Sequence, residues 1–292
     1  MRRLIAAATL LLAPSLFAHD HGQNISITTD DYEDVTSCSQ IRVTFDHEAA
    51  LRAEEELPVG SLRSLKIVSD KRGGVRVAGW DQPRYAVTVC KAAASADMLR
   101  AVNARLSGNE VTASGPDGDQ QWVVYLLVRT PRNATLDVTA HNGPIGLHGV
   151  NGTLTVRATN GPVSLKNSSG TIDAATVNGP IALAGGSGNV KISATNGPLS
   201  VKLTGTRWDG TLDATTQNGP VSLKLPRNFG SGVDVTVNGH GPISCKAEAC
   251  RDMKRSWHDD DNDTPRRLSF GSGPRNVTLS TMNGPVVVKE AE

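Results

Sequence analysis

Aromatic residues are nearly missing from this chain: four Trp, three Tyr and four Phe make up 4% of 292 residues. That excludes a compact core built on large rings and favours thin stacked layers of small aliphatic side chains. No apolar run reaches the length of a bilayer-spanning helix, so no membrane span is expected. Net charge is also lacking, at +1, and bulk charge therefore gives no case for nucleic acid. Of the four cysteines none stands in a CxxC spacing, which removes a redox motif and a zinc ribbon. A Gly-x-Ser-x-Gly elbow and a phosphate loop are absent too. The seven His are scattered, with His141, His148 and His240 in or near turns. No catalytic set emerges and no cofactor is implied, so the expectation is a protein that is not an enzyme.

What is present begins with Met1-Arg2-Arg3, an apolar run over residues 4–13 and a small residue, Ala18. A basic start, a short apolar core and a small residue at the cut describe a secretory signal peptide over residues 1–18, hence an exported protein, periplasmic or extracellular. A cut after Ala18 would leave His19-Asp20-His21 at the new terminus, a pattern able to chelate Cu²⁺ or Ni²⁺ through nitrogens, but the short motif reads first as an ordinary polar tail. Four cysteines in an exported chain suggest two disulfides, Cys38–Cys90 and Cys245–Cys250, one in each half; the alternative is that one pair stays as buried thiols.

The dominant feature is a repeated tripeptide. Asn-Gly-Pro starts at Asn142, Asn160, Asn178, Asn196, Asn218 and Asn283, and a variant with inserted residues reads Asn238-Gly239-His240-Gly241-Pro242. Spacings of 18, 18, 18, 22 and 20 residues between Asn142 and Asn238 signal a repeat architecture. Each repeat holds two short alternating runs and two glycine turns, as in Val163 and Leu165 followed by Ile172 and Ala174. One such unit cannot bury its apolar rows alone, whereas stacked units can. The expected fold is all-β: a right-handed, single-stranded β-solenoid of 18–22-residue coils, with a β-rich N-terminal portion and one short helix. The competing reading, Asn-Gly as a hairpin turn, does not explain a sustained period. Parity from Leu154, Val156 and Ala158 to Asn160 points the asparagines inward, where amides about 4.8 Å apart would bond as an internal ladder.

Outward positions align as well. Ser164 and Lys166, Ser200 and Lys202, Ser222 and Lys224, Ser244 and Lys246, then Lys289, fall on one face. Asp137, Asp173, Asp213 and Asp234, with Thr155, Thr215, Thr236 and Thr278, fall on the other. The first set reads either as solvation of exposed strands or as an anion-binding stripe. Trp208 and Trp257 are placed in loops, which argues against a polysaccharide enzyme that stacks sugars on outward rings. Residues 247–275 interrupt the last repeat with a charged loop able to fold over the end of the stack. Within it, Asp259, Asp261 and Asp263 could ligate Ca²⁺, but the run lacks the EF-hand spacing and reads as solvated; no metal is assigned. Residues 285–289 are expected at an unpaired end able to accept a strand from another chain.

Before the repeats, candidate strands cover residues 25–28, 40–45, 65–69, 75–78, 85–91, 110–113 and 122–129. Gly73-Gly74 turns the chain between two of them, and Gly115-Pro116-Asp117-Gly118-Asp119 forms an exposed turn. Met98, Leu99, Val102 and Leu106 recur at helical spacing behind Ser95, predicting a helix within 95–106. The divisions are therefore 1–18, an extension over 19–61, a β-rich part over 62–133, and the repeats over 134–292.

The segment from Leu65-Lys66-Ile67-Val68 to Val75-Arg76-Val77-Ala78-Gly79-Trp80, the stretch Val128-Arg129-Thr130-Pro131-Arg132-Asn133-Ala134-Thr135-Leu136-Asp137-Val138 and the Asn-Gly-Pro corners together resemble a bacterial family of putative adhesins, an exported envelope domain of unknown function. The resemblance covers residues 62–290. It implies an exported β-solenoid and supplies no catalytic residue. The leading functional expectation is a structural or adhesion module presenting Ser, Thr, Lys and Asp ladders to an envelope or extracellular protein or glycan. Two other classes stay open: a carbohydrate-active enzyme or binder on an anionic polysaccharide, and an envelope-stress signalling partner.

Overall fold

The computed structural model describes residues 25–29, 35–69, 72–117, 121–251, 253–255 and 265–291. The signal-peptide segment, the His19-Asp20-His21 motif, Trp257 and the acidic run Asp259, Asp261 and Asp263 lie outside them. The chain is all-β with one short α-helix, arranged in two long sheets of 12 and 11 strands and a separate three-stranded sheet.

In the repeat region the chain alternates between the two long sheets. Long strands Asn133–Asn142, Asn151–Asn160, Ser169–Asn178, Ser187–Asn196 and Gly210–Asn218 lie parallel in one sheet. Short strands Ile145–His148, Val163–Lys166, Ile181–Ala184, Leu199–Lys202 and Val221–Leu225 lie parallel in the other. Equivalent residues pair with equivalent residues, so Leu136, Leu154, Ile172, Val190 and Leu212 form one column. Opposite them stand Ile145, Val163, Ile181, Leu199 and Val221, and both columns are buried in one shared core. Side-chain alternation gives each strand one inward row, and small aliphatics fill the gap between sheets without aromatic bulk.

Two features hold this register. At the Asn-Gly-Pro corners from Gly143 to Gly219 the Gly N–H donates to the Asn carbonyl of the neighbouring repeat, Gly161 to Asn178 at 2.9 Å for example, so the turns themselves are bonded. At the other corner a glycine is required: Gly170 has φ +107°, and a Cβ there would sit 2.3 Å from the Gly152 carbonyl oxygen. The longer spacing between Asn196 and Asn218 is absorbed by residues 203–209, which bury Leu203 and Trp208. The Trp208 indole N–H donates to the Gly188 carbonyl; Trp208 stands in the loop where it was expected, with its ring buried.

At the N-terminal end, strands Ser64–Ser69 and Val75–Trp80 form the first unit, with Gly73 bonded to the Asn142 carbonyl at the corner position. Further strands then cover that end: Trp122–Pro131 pairs parallel to Val75–Trp80 and Glu110–Ser114 parallel to Ser64–Ser69, and the strands beyond them are antiparallel. Trp122–Pro131, Ala86–Ala93 and Leu51–Leu57 extend the short-strand sheet, while Glu110–Ser114 and Asn103–Ser107 extend the other. The predicted helix is present only as Ala96–Ala101, with the Ser95 hydroxyl accepting from the Met98 N–H. Its expected second half is strand instead, because Leu106 pairs across to Val111 and sheet pairing overrides local helical spacing. Strand Leu51–Leu57 was not expected from sequence: its outer positions are charged or exposed and show no apolar alternation. Outside the short-strand sheet, strands Ile25–Thr29, Ile41–Phe45 and Glu48–Ala49 build the small sheet. Ile41, Val43 and Phe45 bury Ala92, Val123, Tyr125 and Leu127, and the Cys38–Cys90 disulfide fastens the two layers.

The C-terminal order departs from the sequence. Strand Arg275–Asn283 lies between Gly210–Asn218 and Gly232–Val237, and Val286–Glu290 lies between Val221–Leu225 and Ile243–Cys245. The last repeat is thus inserted inside the stack. Residues 285–289 are not an open edge, since both sides of their strand are paired. Arg266–Phe270 runs antiparallel to Gly232–Val237, and Lys254–Arg255 closes the long sheet beside it. The Cys245–Cys250 disulfide lies where the chain leaves Ile243–Cys245. No helix among the described residues is long and apolar enough to cross a membrane, a statement that concerns helices alone.

Candidate functional site: two faces of unlike charge

The asparagines form a chain of amide bonds. Each Nδ2 donates to the Oδ1 of the preceding corner: Asn160 to Asn142 at 2.8 Å, Asn178 to Asn160 at 2.9 Å, and Asn196 to Asn178, Asn218 to Asn196 and Asn283 to Asn218 at 3.0 Å. The amides are exposed and do not point into the core. Parity fails at the last step because the strand leaves the sheet there: Ala140 pairs with Ala158 and Asn142 with Asn160, but the residue between is unpaired. Inward space at that level belongs to the Thr176, Thr216 and Thr281 hydroxyls, which donate to the Gly161, Gly197 and Gly219 carbonyls. Asn238 is not part of this chain. Gly284 donates to the His240 carbonyl, which puts His240-Gly241-Pro242 at the corner and displaces Asn238 from it.

The long-strand outer face carries both signs, largely paired. Asp137, Thr155, Asp173, Lys191, Asp213, Thr278 and Asp234 follow one another in register. Asp173 binds Arg157 at 2.8 Å, Asp234 binds Arg275 at 2.6 Å, and Lys66 binds Glu110 at 2.8 Å. The Glu110 hydrogen bond holds the Lys66 ammonium above its ordinary pKa. A shallow groove of about 390 Å³ on this face is lined mainly by Thr, Ser and Ala, with Arg157 its one ionisable side chain. That lining offers no pair of carboxylates for acid–base chemistry.

The short-strand outer face is different. Lys202 pairs with Lys224 and Lys224 with Lys289; Lys246, whose N–H donates to the Val288 carbonyl, lies beside Lys289. Four lysines therefore stand on neighbouring strands about 4.8 Å apart. All four are exposed, and no carboxylate pairs with them among the described residues. Like charges directly opposite one another destabilise a sheet, so this column costs stability where it stands. In the other direction the same column runs through Ala184, Lys166, His148 and Ala78 to Arg129. Beside it run Ser164, Ala182, Ser200, Ser222, Val287 and Ser244. The predicted Ser and Lys positions are thus brought together on one face, with no carboxylate in the named stretches; followed past Gly146, Arg76, Leu127 and Thr88, the serine column reaches Glu56, which accepts from the Thr88 hydroxyl.

At the N-terminal end of this face sequence reading missed an aromatic group. Trp80 lies half-buried on the outer side, with the guanidinium carbons of Arg84 and Arg129 at 5.6 and 5.8 Å from its ring centroid. Its indole N–H donates to the Arg84 carbonyl at 2.8 Å. Nearby, Arg132 takes the Asp81 carboxylate at 2.6 and 3.3 Å, a contact that lowers the Asp81 pKa. The signal available in sequence was Trp80 at the end of a strand with Arg84 four residues on; Arg129 is added only by strand pairing.

Among the described residues no group of three His, Cys, Asp or Glu is placed to hold a metal ion. No family model matches the chain, and no curated protein matches it. Solved structures similar to it include a putative cell adhesion protein from Clostridium sporogenes, at 9% identity over 83% of this chain and 100% of that one, TM-score 0.29. Another is a putative adhesin from Bacteroides fragilis, at 9% identity over 82% and 97%, TM-score 0.37. A third is a putative lipid binding protein from Parabacteroides distasonis, at 9% identity over 82% and 97%, TM-score 0.42. The chain resembles solved structures described as putative adhesins, at low identity.

Proposed function

We propose that the repeats wind as a right-handed β-solenoid and that the protein is an exported, non-enzymatic interaction module. Its working surface is the short-strand face, which holds an anionic partner by many weak contacts in register. The observation that carries this reading is the uninterrupted lysine column Lys202, Lys224, Lys289 and Lys246, placed at a cost in repulsion and left without carboxylates. A repeating partner meets each strand with the same group, and linked weak sites sum to useful affinity. A triple variant, Lys202→Ala, Lys224→Ala, Lys289→Ala, tests it. These side chains are exposed, so the fold is retained. Binding to immobilised polygalacturonate should fall steeply in the variant and, for the parent protein, with rising salt. Equal binding by parent and variant would remove this face from the account.

A further inference from the structure

The cationic column ends at Arg129, and Arg129 is one of two guanidiniums set against Trp80. The other belongs to Arg84, on the loop after the strand. Three properties set this end apart from the lysines. First, both guanidinium carbons lie over one indole ring, 5.6 and 5.8 Å from its centroid, a cation–π contact that restrains them, and each guanidinium offers an oxyanion a fork of N–H donors that a mobile ammonium cannot match. Second, the adjacent carboxylate is already taken, because Asp81 is held in two contacts by Arg132. Arg84 and Arg129 make no ion pair among the described residues, and both are exposed. Third, the Trp80 N–H is bonded to the Arg84 backbone, so ring and loop are fixed together.

We propose that Trp80, Arg84 and Arg129 form an oxyanion site that anchors one end of a linear uronate-containing glycan lying along the lysine column. The inference rests on the reading of that column as a polyanion surface. From Arg129 to Lys289 the column crosses eight strands, about 34 Å at the usual strand spacing, so the site and the last lysines contact different parts of one chain. Carboxylates of the glycan meet Arg and Lys, and its hydroxyls meet the serine column that runs alongside at Ser164, Ser200 and Ser222. Single-stranded nucleic acid fits less well, because it calls for aromatic rings interleaved along the track, and this face offers one ring at its end.

Two ligands separate the site from the column. Free galacturonate reaches the site alone, and polygalacturonate spans both. Calorimetric titration of the full chain should show weak galacturonate binding that is abolished by Arg84→Ala with Arg129→Ala and unchanged by the triple lysine variant. Polygalacturonate affinity should fall roughly tenfold or more in each variant, since each removes part of a multivalent contact. Trp80→Leu should act like the double arginine variant and Trp80→Tyr should restore binding, which a merely structural ring would not do. Galacturonate binding that survives loss of both arginines would overturn the site. Loss of galacturonate binding in the arginine variant, together with unchanged polymer binding in the lysine variant, would keep the site and refute the column. A single-stranded oligonucleotide that competes as well as polygalacturonate would overturn the assignment to a glycan.

Discussion

Asn178 donates its amide to Asn160 across 2.9 Å and accepts the amide of Asn196 at 3.0 Å, at a corner open to solvent. Every interior member of the chain makes the same two bonds, so the amides work as a rim clasp on the register. Asn178→Leu removes both and leaves a donor and an acceptor on its neighbours. At an exposed position each net bond is worth about 1 kcal/mol, so the expected loss is about 1–2 kcal/mol. Asn142→Leu, at the end of the chain, should cost about half as much. Urea denaturation of the two variants checks the ratio, and equal losses would remove the ladder from the stability account.

Asn-Gly sequences deamidate when the glycine nitrogen is free to attack the amide. Here Gly161 and Gly179 are hydrogen-bonded to the next repeat, and their Asn side chains are engaged. Asn238 is exposed and outside the amide chain; the Gly239 nitrogen after it is bonded to the Met282 carbonyl, so what sets Asn238 apart is its side chain, which lacks the amide partners of the other corners. Peptide mapping after mild alkaline ageing should find Asn238 modified first and Asn160 and Asn178 protected until the protein unfolds. Uniform modification of the folded protein would count against bonded corners.

The inserted terminal repeat predicts an unusual truncation. Removing residues 275–292 takes the central strand from between Gly210–Asn218 and Gly232–Val237. Amide protection should vanish from residues 232–245 and 266–270 yet persist across residues 133–196, whose partners are nearest neighbours. Hydrogen exchange read by mass spectrometry decides it, and undiminished protection at residues 232–237 is the contrary result.

Tyr125 is packed beneath the small sheet, and burial pushes its phenol up to about 12. The unfolded chain ionises near the ordinary value of 10. Stability that is full below that value is therefore lost as pH rises towards the folded value, by about 2–3 kcal/mol. Spectrophotometric titration should show late tyrosinate ionisation whose highest step Tyr125→Phe removes, leaving that of Tyr85, which burial also raises.

The Cys38–Cys90 disulfide closes a 52-residue separation. On the chain-entropy view it contributes about 4 kcal/mol. Cys38→Ser with Cys90→Ser should undock strand Ile41–Phe45 and bring Tyr125 down to an ordinary titration. Retention of the highest tyrosinate step in that variant would show that apolar contacts alone hold the small sheet.

The repeat period, the two inward columns and the separation of lysines from aspartates were legible in the sequence, because parallel strands in register copy sequence spacing directly into space. Both cysteine pairings were also legible from count and position. Strand Leu51–Leu57 was not, since an edge strand with charged side chains carries no apolar signal. The second half of the expected helix became strand because Leu106 found a partner in Val111. The asparagine orientation was misread for a local reason: alternation holds only while the strand remains in the sheet, and these residues stand where it leaves.

What the sequence determined alone is nearest-neighbour structure: which residues repeat, which rows are apolar, and which face each charge takes. The tertiary structure decided everything that depends on strand order. It placed residues 275–290 between two earlier repeats, paired Val286–Glu290 on both sides, and carried Arg129 into line with the lysines beside Trp80. Those placements join residues tens of positions apart, and pairing between backbones is chemically alike at every strand edge. Only the competition of whole edges for partners selects among them, and no local spacing encodes that outcome.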